Sequence, residues 1–175
     1  MPELILLLLL LAIILYVVST IISDLFGAPY VPTSSKLVDS ILKNANLKPG
    51  QCFVELGCGD GRLVRNAVAK YYVSGLGIDI NPYLIFYAKI MAHFQQLKNI
   101  KFKISDLRRT DLSQADVIFL YLLPSILPVV QKKLMTQPHK KILVISHFFQ
   151  LSGWEKYLLK TITISSHPIH YYQLF

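Results

Sequence analysis

Gly57, Gly59 and Gly61 recur at every second position within Val54–Arg62 (VELGCGDGR), and Glu55 stands two residues ahead of the first. Glycine weakens a strand or helix interior, so three this close serve a tight turn that lies against a ligand. The apolar run Gln51–Val54 leads in like a buried strand, and Arg62–Tyr72 leaves with helical periodicity. A strand–turn–helix of this kind points helix N–H groups at negative charge, as nucleotide-type sites do. Two further acids sit at the tips of apolar runs: Asp79 in Ser74–Ile80, and Asp106 just after Asn99–Ser105. A carboxylate at a strand tip can accept hydrogen bonds from both hydroxyls of a ribose.

The spacing separates two cofactor classes. Dinucleotide folds carry G-x-G-x-x-G, whereas this chain has E-x-G-x-G-x-G. That form resembles motif I of the class I S-adenosylmethionine methyltransferases. The resemblance implies S-adenosylmethionine as cofactor, with Glu55, Gly57, Cys58, Gly59, Asp60 and Gly61 passing under its methionine part. It places Asp79 and Ile80 at the ribose, and Asp106 and Leu107 at the adenine. Asp60 can equally order the loop beside the helix start or meet the cofactor's amino group. A solvated loop carboxylate is the plain alternative for each acid.

These residues need a sheet to hold them. Ser34 is placed to cap a helix over Ser35–Ala45, and Lys48-Pro49-Gly50 turns the chain into the first strand. Pro82, after Asn81, opens a helix to about Leu97, with Leu84, Ile85, Ala88, Met91 and Ala92 on one face. Asp116–Leu122 and Lys141–Ser146 read as buried strands, and Pro124-Ser125 opens a helix to about Met135. Lys160–Ser165 and Ile169–Phe175 read as a hairpin turning at Ser166-His167-Pro168. Strands alternating with helices imply a parallel sheet. The expected fold is α/β: a Rossmann-like, seven-stranded class I methyltransferase sheet with a C-terminal antiparallel hairpin, preceded by one transmembrane helix.

That helix is expected at Leu4–Ile22, which carries no charge and would rise about 28 Å, enough for a hydrocarbon core. A cleaved signal peptide would carry a basic region ahead of a shorter apolar core; here Glu3 precedes the run and no basic residue does. The domains expected are therefore an anchor over 1–22, a Gly/Pro-interrupted linker over 23–33 and a methyltransferase domain over 34–175. All 18 Lys and Arg follow the apolar run, against nine of the ten acids. The positive-inside rule puts the C-terminal domain in the cytoplasm of a single-pass membrane protein. Such a surplus of positive charge would draw the domain to anionic lipid, and RNA binders show the same surplus. Cys52 and Cys58 read as reduced structural thiols.

One N-terminal span, then PYVPTS, ELGCGDGR, GIDINPYL and SDLRRTDLSQADVIFLYLLPSILP together resemble a narrower family. Its members are membrane-anchored protein lysine methyltransferases that modify the ATP synthase c-subunit and the adenine nucleotide translocator. The resemblance runs from Leu4 to about Pro128 and implies a lysine of a membrane protein as acceptor, with the lipid bilayer as partner. At the exit of the fourth strand, Tyr121-Leu122-Leu123-Pro124 replaces the [DN]-P-P-[YF] of DNA and glutamine amino-methyltransferases. No Pro-Cys pair stands there for cytosine C5 chemistry. Neither nucleic acid nor a metal is the expected partner.

Tyr121, Tyr30 and Thr33 are the candidates for the catalytic acceptor wall, where an aromatic face can stabilise a cationic product. Tyr30 reads equally as a membrane-interface anchor, and Tyr121 equally as core. His147 reads as a loop residue rather than a base, and Arg108-Arg109 as a solvated pair or a contact for lipid phosphate. A small-molecule or lipid acceptor, and a non-enzymatic S-adenosylmethionine- or RNA-binding module, stand as alternatives.

Overall fold

The computed structural model describes residues 2–25, 30–137 and 141–175, with side chains of the first stretch described over 2–18 and at 21. Seven strands form one sheet in the order β3-β2-β1-β4-β5-β7-β6. In chain order they are β1 (Cys52–Leu56), β2 (Ser74–Asp79), β3 (Ile100–Ile104), β4 (Val117–Leu120), β5 (Ile142–His147), β6 (Leu158–Ile164) and β7 (His167–Leu174). The first five are parallel, and β7 inserts antiparallel between β5 and β6. Among the described residues five α-helices accompany them: α1 (Pro2–Leu25), α2 (Ser35–Ala45), α3 (Arg62–Tyr71), α4 (Pro82–Phe94) and α5 (Leu127–Thr136). The expected α/β sheet with its closing hairpin is present.

Period-two alternation along the strands feeds two cores. Phe53, Val117, Phe119, Ile145, Ile169 and Tyr171 face α2, α3 and α4. Their neighbours Val54, Leu56, Ile118, Leu120, Val144 and Tyr172 face α5 and the Leu151–Trp154 corner. Full burial of such a side chain is worth about 1.5–3 kcal/mol, so strand register is fixed wherever both faces are covered. The Ser34 hydroxyl caps α2 through the Leu37 N–H, as its position suggested.

Several boundaries differ from the sequence expectation. α1 continues past Ile22 to Leu25. α4 stops at Phe94 rather than Leu97, because Gln96 adopts a left-handed φ of 54°. α5 opens at Leu127, not at Pro124-Ser125, which lie in a turn closed by Ile126 N–H donating to Leu123 O at 3.0 Å. The hairpin turns on Ser165-Ser166, with φ of 47° and 67°, and His167 and Pro168 already belong to β7.

The expected membrane span is not shown. Among the described residues no helix is long and apolar enough to cross a membrane. The structure does show α1 as a continuous helix whose described apolar side chains, Leu4 to Val18, are 45–62% exposed. A bilayer-crossing role for Leu4–Ile22 therefore rests on the sequence.

Candidate active site

The cleft opens over the C-terminal ends of β1, β2 and β4, where ligands sit in open α/β sheets. The turn after β1 is hung from β2: the Gly57 and Cys58 N–H groups both donate to Ile78 O, at 2.8 and 2.9 Å. Gly57, Gly59 and Gly61 all take left-handed φ, at 73°, 53° and 70°. All three are also approached too closely for a side chain, Gly57 by Leu122 Cδ2 at 2.8 Å from a built Cβ. A Cβ on Gly59 would lie 2.8 Å from the Tyr30 ring, and one on Gly61 2.5 Å from the Phe102 ring. Alternating glycine thus answers both a backbone conformation and the packing around it.

Carboxylates surround this turn. Asp79 Oδ2 accepts from the Gly59 N–H at 2.7 Å and its Oδ1 from the Asn81 N–H at 2.9 Å. Glu55, only 6% exposed, accepts from the Val64 N–H at 2.9 Å, inside the first turn of α3. Asp60 accepts from the Arg62 N–H at 3.0 Å. Burial pushes the Glu55 carboxyl well above its ordinary range, and the neighbouring Asp60 and Asp79 charges push it further. Burial also raises Asp79, against the hydrogen bonds from Asn81 and Gly59.

This arrangement selects the ligand's charge. The N–H groups at the start of α3 that would cradle a phosphate already donate to Glu55 and Asp60. A pyrophosphate there would face the Asp79 carboxylate and find the Arg62 and Val64 N–H groups already taken, a conflict that a sulfonium does not meet. Glu55, Gly57, Cys58, Gly59, Asp60 and Asp79 all line the same cleft.

A second lobe adjoins the first across Gly57, Asp79 and Leu122. Ile80, Leu107, Leu122 and Ile126 give it apolar walls, and Asp106 stands at its edge. A flat heterocycle with a polar rim suits such a slot. The Asp106 side chain caps the 107–109 turn and is gripped by Arg108 at 2.7–3.0 Å, which holds its carboxyl below the usual range. Arg108 is exposed, as expected, and its ion pair with Asp106 lies at the surface.

On the acceptor side, Tyr30, Thr33 and Tyr121 all line the first lobe. Arg62, which the sequence marked only as a helix start, ties this side together. Its guanidinium grips both Asp60 oxygens, donates to Thr33 O at 3.0 Å and to the Tyr30 hydroxyl at 3.3 Å. Burial and the Asp60 charge raise the Tyr30 phenol, so it stays neutral. Phe148 and Phe149 complete the apolar wall. An aromatic pair directly after a strand was the available signal for them.

His147 is not a loop residue. It is the last residue of β5, paired with Ile169 and 1% exposed. Its ring lies 4.0 Å from that of Tyr121, and its Nε2 is 3.2 Å from His167 Nδ1. Burial, then the adjacent His167, push its pKa from 6.5 down to about 4. The folded protein thus holds it neutral while the unfolded chain takes up a proton as pH falls through 6.5. Its contribution to stability is complete above that pH and is lost between 6.5 and 4. We expect the parent to lose about 2 kcal/mol more than His147→Phe between pH 7 and pH 4.5 in urea denaturation, allowing for screening. Equal losses would show that His147 does not resist protonation.

Residues 55–157 match the family described as the ANTKMT methyltransferase domain. The chain is 31% identical over 127 residues to an ATP synthase c-subunit lysine N-methyltransferase of Xenopus laevis, covering 72% of this chain and 55% of that protein. It therefore spans about half the length of that relative. A protein-lysine N-methyltransferase of Saccharolobus islandicus is 30% identical over 131 residues, covering 72% and 80% of the two chains. Among solved structures, an RNA methyltransferase of Salinibacter ruber in complex with S-adenosyl-L-homocysteine superposes with a TM-score of 0.78. It is 30% identical, with 82% of this chain and 93% of that one covered.

Proposed function

The chain belongs to the ANTKMT methyltransferase domain family, and from that premise we propose that it transfers a methyl group from S-adenosylmethionine to a lysine side chain of a membrane protein. The observation that carries the reading is that Asp60 and Glu55 occupy the Arg62 and Val64 N–H groups at the start of α3, beside Asp79. A cleft so built favours a cationic cofactor over a dinucleotide. Calorimetry tests this directly: S-adenosylmethionine is expected to bind with a Kd of about a micromolar, and NAD not to bind. NAD binding of equal strength would end the reading.

The residues present suit this cofactor. Asp79 keeps lone pairs on both oxygens for the ribose hydroxyls, the second lobe suits the adenine, and Asp60, paired with Arg62, offers both signs of charge to the ammonium and carboxylate of the methionine end. Bound there, S-adenosylmethionine supplies a methyl group already activated for displacement. The protein's own task is placement and drying. Tyr30, Tyr121, Phe148 and Phe149 wall the acceptor side. Burial against Phe148 and Phe149 removes the ammonium's hydration, so an entering lysine gives up its proton to water and presents its lone pair in line. After transfer the Tyr121 face steadies the methylated cation.

The protein-lysine acceptor is supported by relatives named lysine methyltransferases, including one of which this chain covers four-fifths. RNA is the second reading, favoured by the name of the Salinibacter protein. The apolar Leu4–Ile22 run supports a single-pass anchor with the domain in the cytoplasm, where S-adenosylmethionine is made. Release by carbonate without detergent would refute the anchor. Protease access to the domain from the opposite side of the membrane would refute the orientation.

A further inference from the structure

α4 carries two apolar faces, and the sheet uses one. Leu84, Ile85, Ala88 and Ala92 are buried against the core. Tyr83, Phe86, Tyr87, Ile90 and Phe94 follow at i, i+3, i+4, i+7 and i+11, a single stripe on the opposite side. They are 43%, 63%, 45%, 36% and 75% exposed. A soluble helix normally sets charge there.

The surroundings of the stripe are one-signed. From Ile80 to Ser105 the chain has no carboxylate and carries Lys89, Lys98, Lys101 and Lys103. All four are exposed, and the last two lie on β3 at the edge of the sheet. The stripe is also continuous with α1: the Tyr16 ring packs edge-on against Tyr83 at 5.6 Å. An apolar stripe rich in aromatics, rimmed by lysines, matches the layered chemistry of a lipid interface, with hydrocarbon within and anionic headgroups around. Two copies meeting through this face would oppose like charges, which argues against a dimer.

We infer that the outer face of α4 docks on an anionic lipid surface and forms a second membrane contact beside α1. This rests on the membrane reading above and deepens it. Asp79 and Asn81 immediately precede α4, and Leu84 lines the cleft next to Tyr83 on the stripe. Docking would therefore hold the cleft at headgroup level, where a lysine of a membrane protein snorkels.

The native Trp154 is 5% exposed, so a new tryptophan reports its own surroundings. Full-length Phe86→Trp and Phe94→Trp proteins are reconstituted into phosphatidylcholine vesicles, with and without phosphatidylserine, carrying bromine high on the acyl chains. Tyr72→Trp, at an exposed position after α3, serves as the control. Brominated lipid should quench the α4 tryptophans about twofold more than the control, and more with phosphatidylserine than without. Aqueous iodide should quench them less. Free iodide access with no lipid quenching, in protein that floats with the vesicles, would overturn the docking and leave the anchor standing. Failure to float at all would overturn both. Shielding from iodide by added RNA but not by vesicles would assign the face to nucleic acid instead. S-adenosylmethionine binding at the parental level shows that each variant is folded.

Discussion

Replacing Asp79 by alanine is expected to weaken S-adenosylmethionine binding by about a hundredfold or more. The side chain has two duties. It accepts from the Gly59 and Asn81 N–H groups, holding the glycine turn against the tip of β2. Its remaining lone pairs face the cleft, where the ribose hydroxyls would donate. Each charged hydrogen bond is worth roughly 1.5–3 kcal/mol, and losing two costs about 3 kcal/mol, which is the hundredfold. Asp79→Asn should fall between, since the amide keeps one acceptor and turns its NH2 toward a donor. Calorimetry measures all three proteins. Parental affinity in the alanine variant would remove Asp79 from the site.

Tyr121→Ala should act on the other half of the reaction. Tyr121 faces the cleft, with its ring centroid 4.0 Å from that of the buried His147 and tilted 36° to it. Truncation removes an aromatic face from the developing cation and admits water beside it. A desolvated cation–π contact is worth about 2 kcal/mol, or roughly a thirtyfold loss in kcat/KM for the acceptor. Cofactor affinity should change less than about threefold, because the acids proposed to hold the cofactor lie on β1, at the tip of β2, and in the turns after β1 and β3. If S-adenosylmethionine affinity fell as far as the rate, Tyr121 would belong to the cofactor lobe rather than the acceptor wall.

The parts of this site that were legible in the sequence are local. Glu55 and the three glycines declare a tight turn because nothing else explains glycine at every second position. Asp79 marks a strand tip because a charge ends the apolar run of β2. What stayed hidden depends on contacts between distant segments. Arg62 meets Tyr30 and Thr33 across roughly thirty residues, and no periodicity reports that. His147 looked like a loop residue because β5 outlasts its apolar run by one residue, which its pairing with Ile169 requires. The hairpin turn was misplaced because Ser165 and Ser166 take left-handed conformations usually signalled by Asn or Gly. The second face of α4 was readable in principle. Its five apolar positions were obscured by the buried set on the other side, which leaves the helix apolar nearly all round.

The central claim is methyl transfer to a lysine of a membrane protein, and radiolabelled S-adenosylmethionine tests it most directly. The full-length protein is incubated with host membranes and the labelled cofactor, the protein, lipid and RNA fractions are separated, and the protein is hydrolysed to amino acids. The account predicts label in methylated lysine from an integral membrane protein, absent when Asp79→Ala replaces the parent. Label confined to lipid or to RNA, with none in lysine, would contradict it.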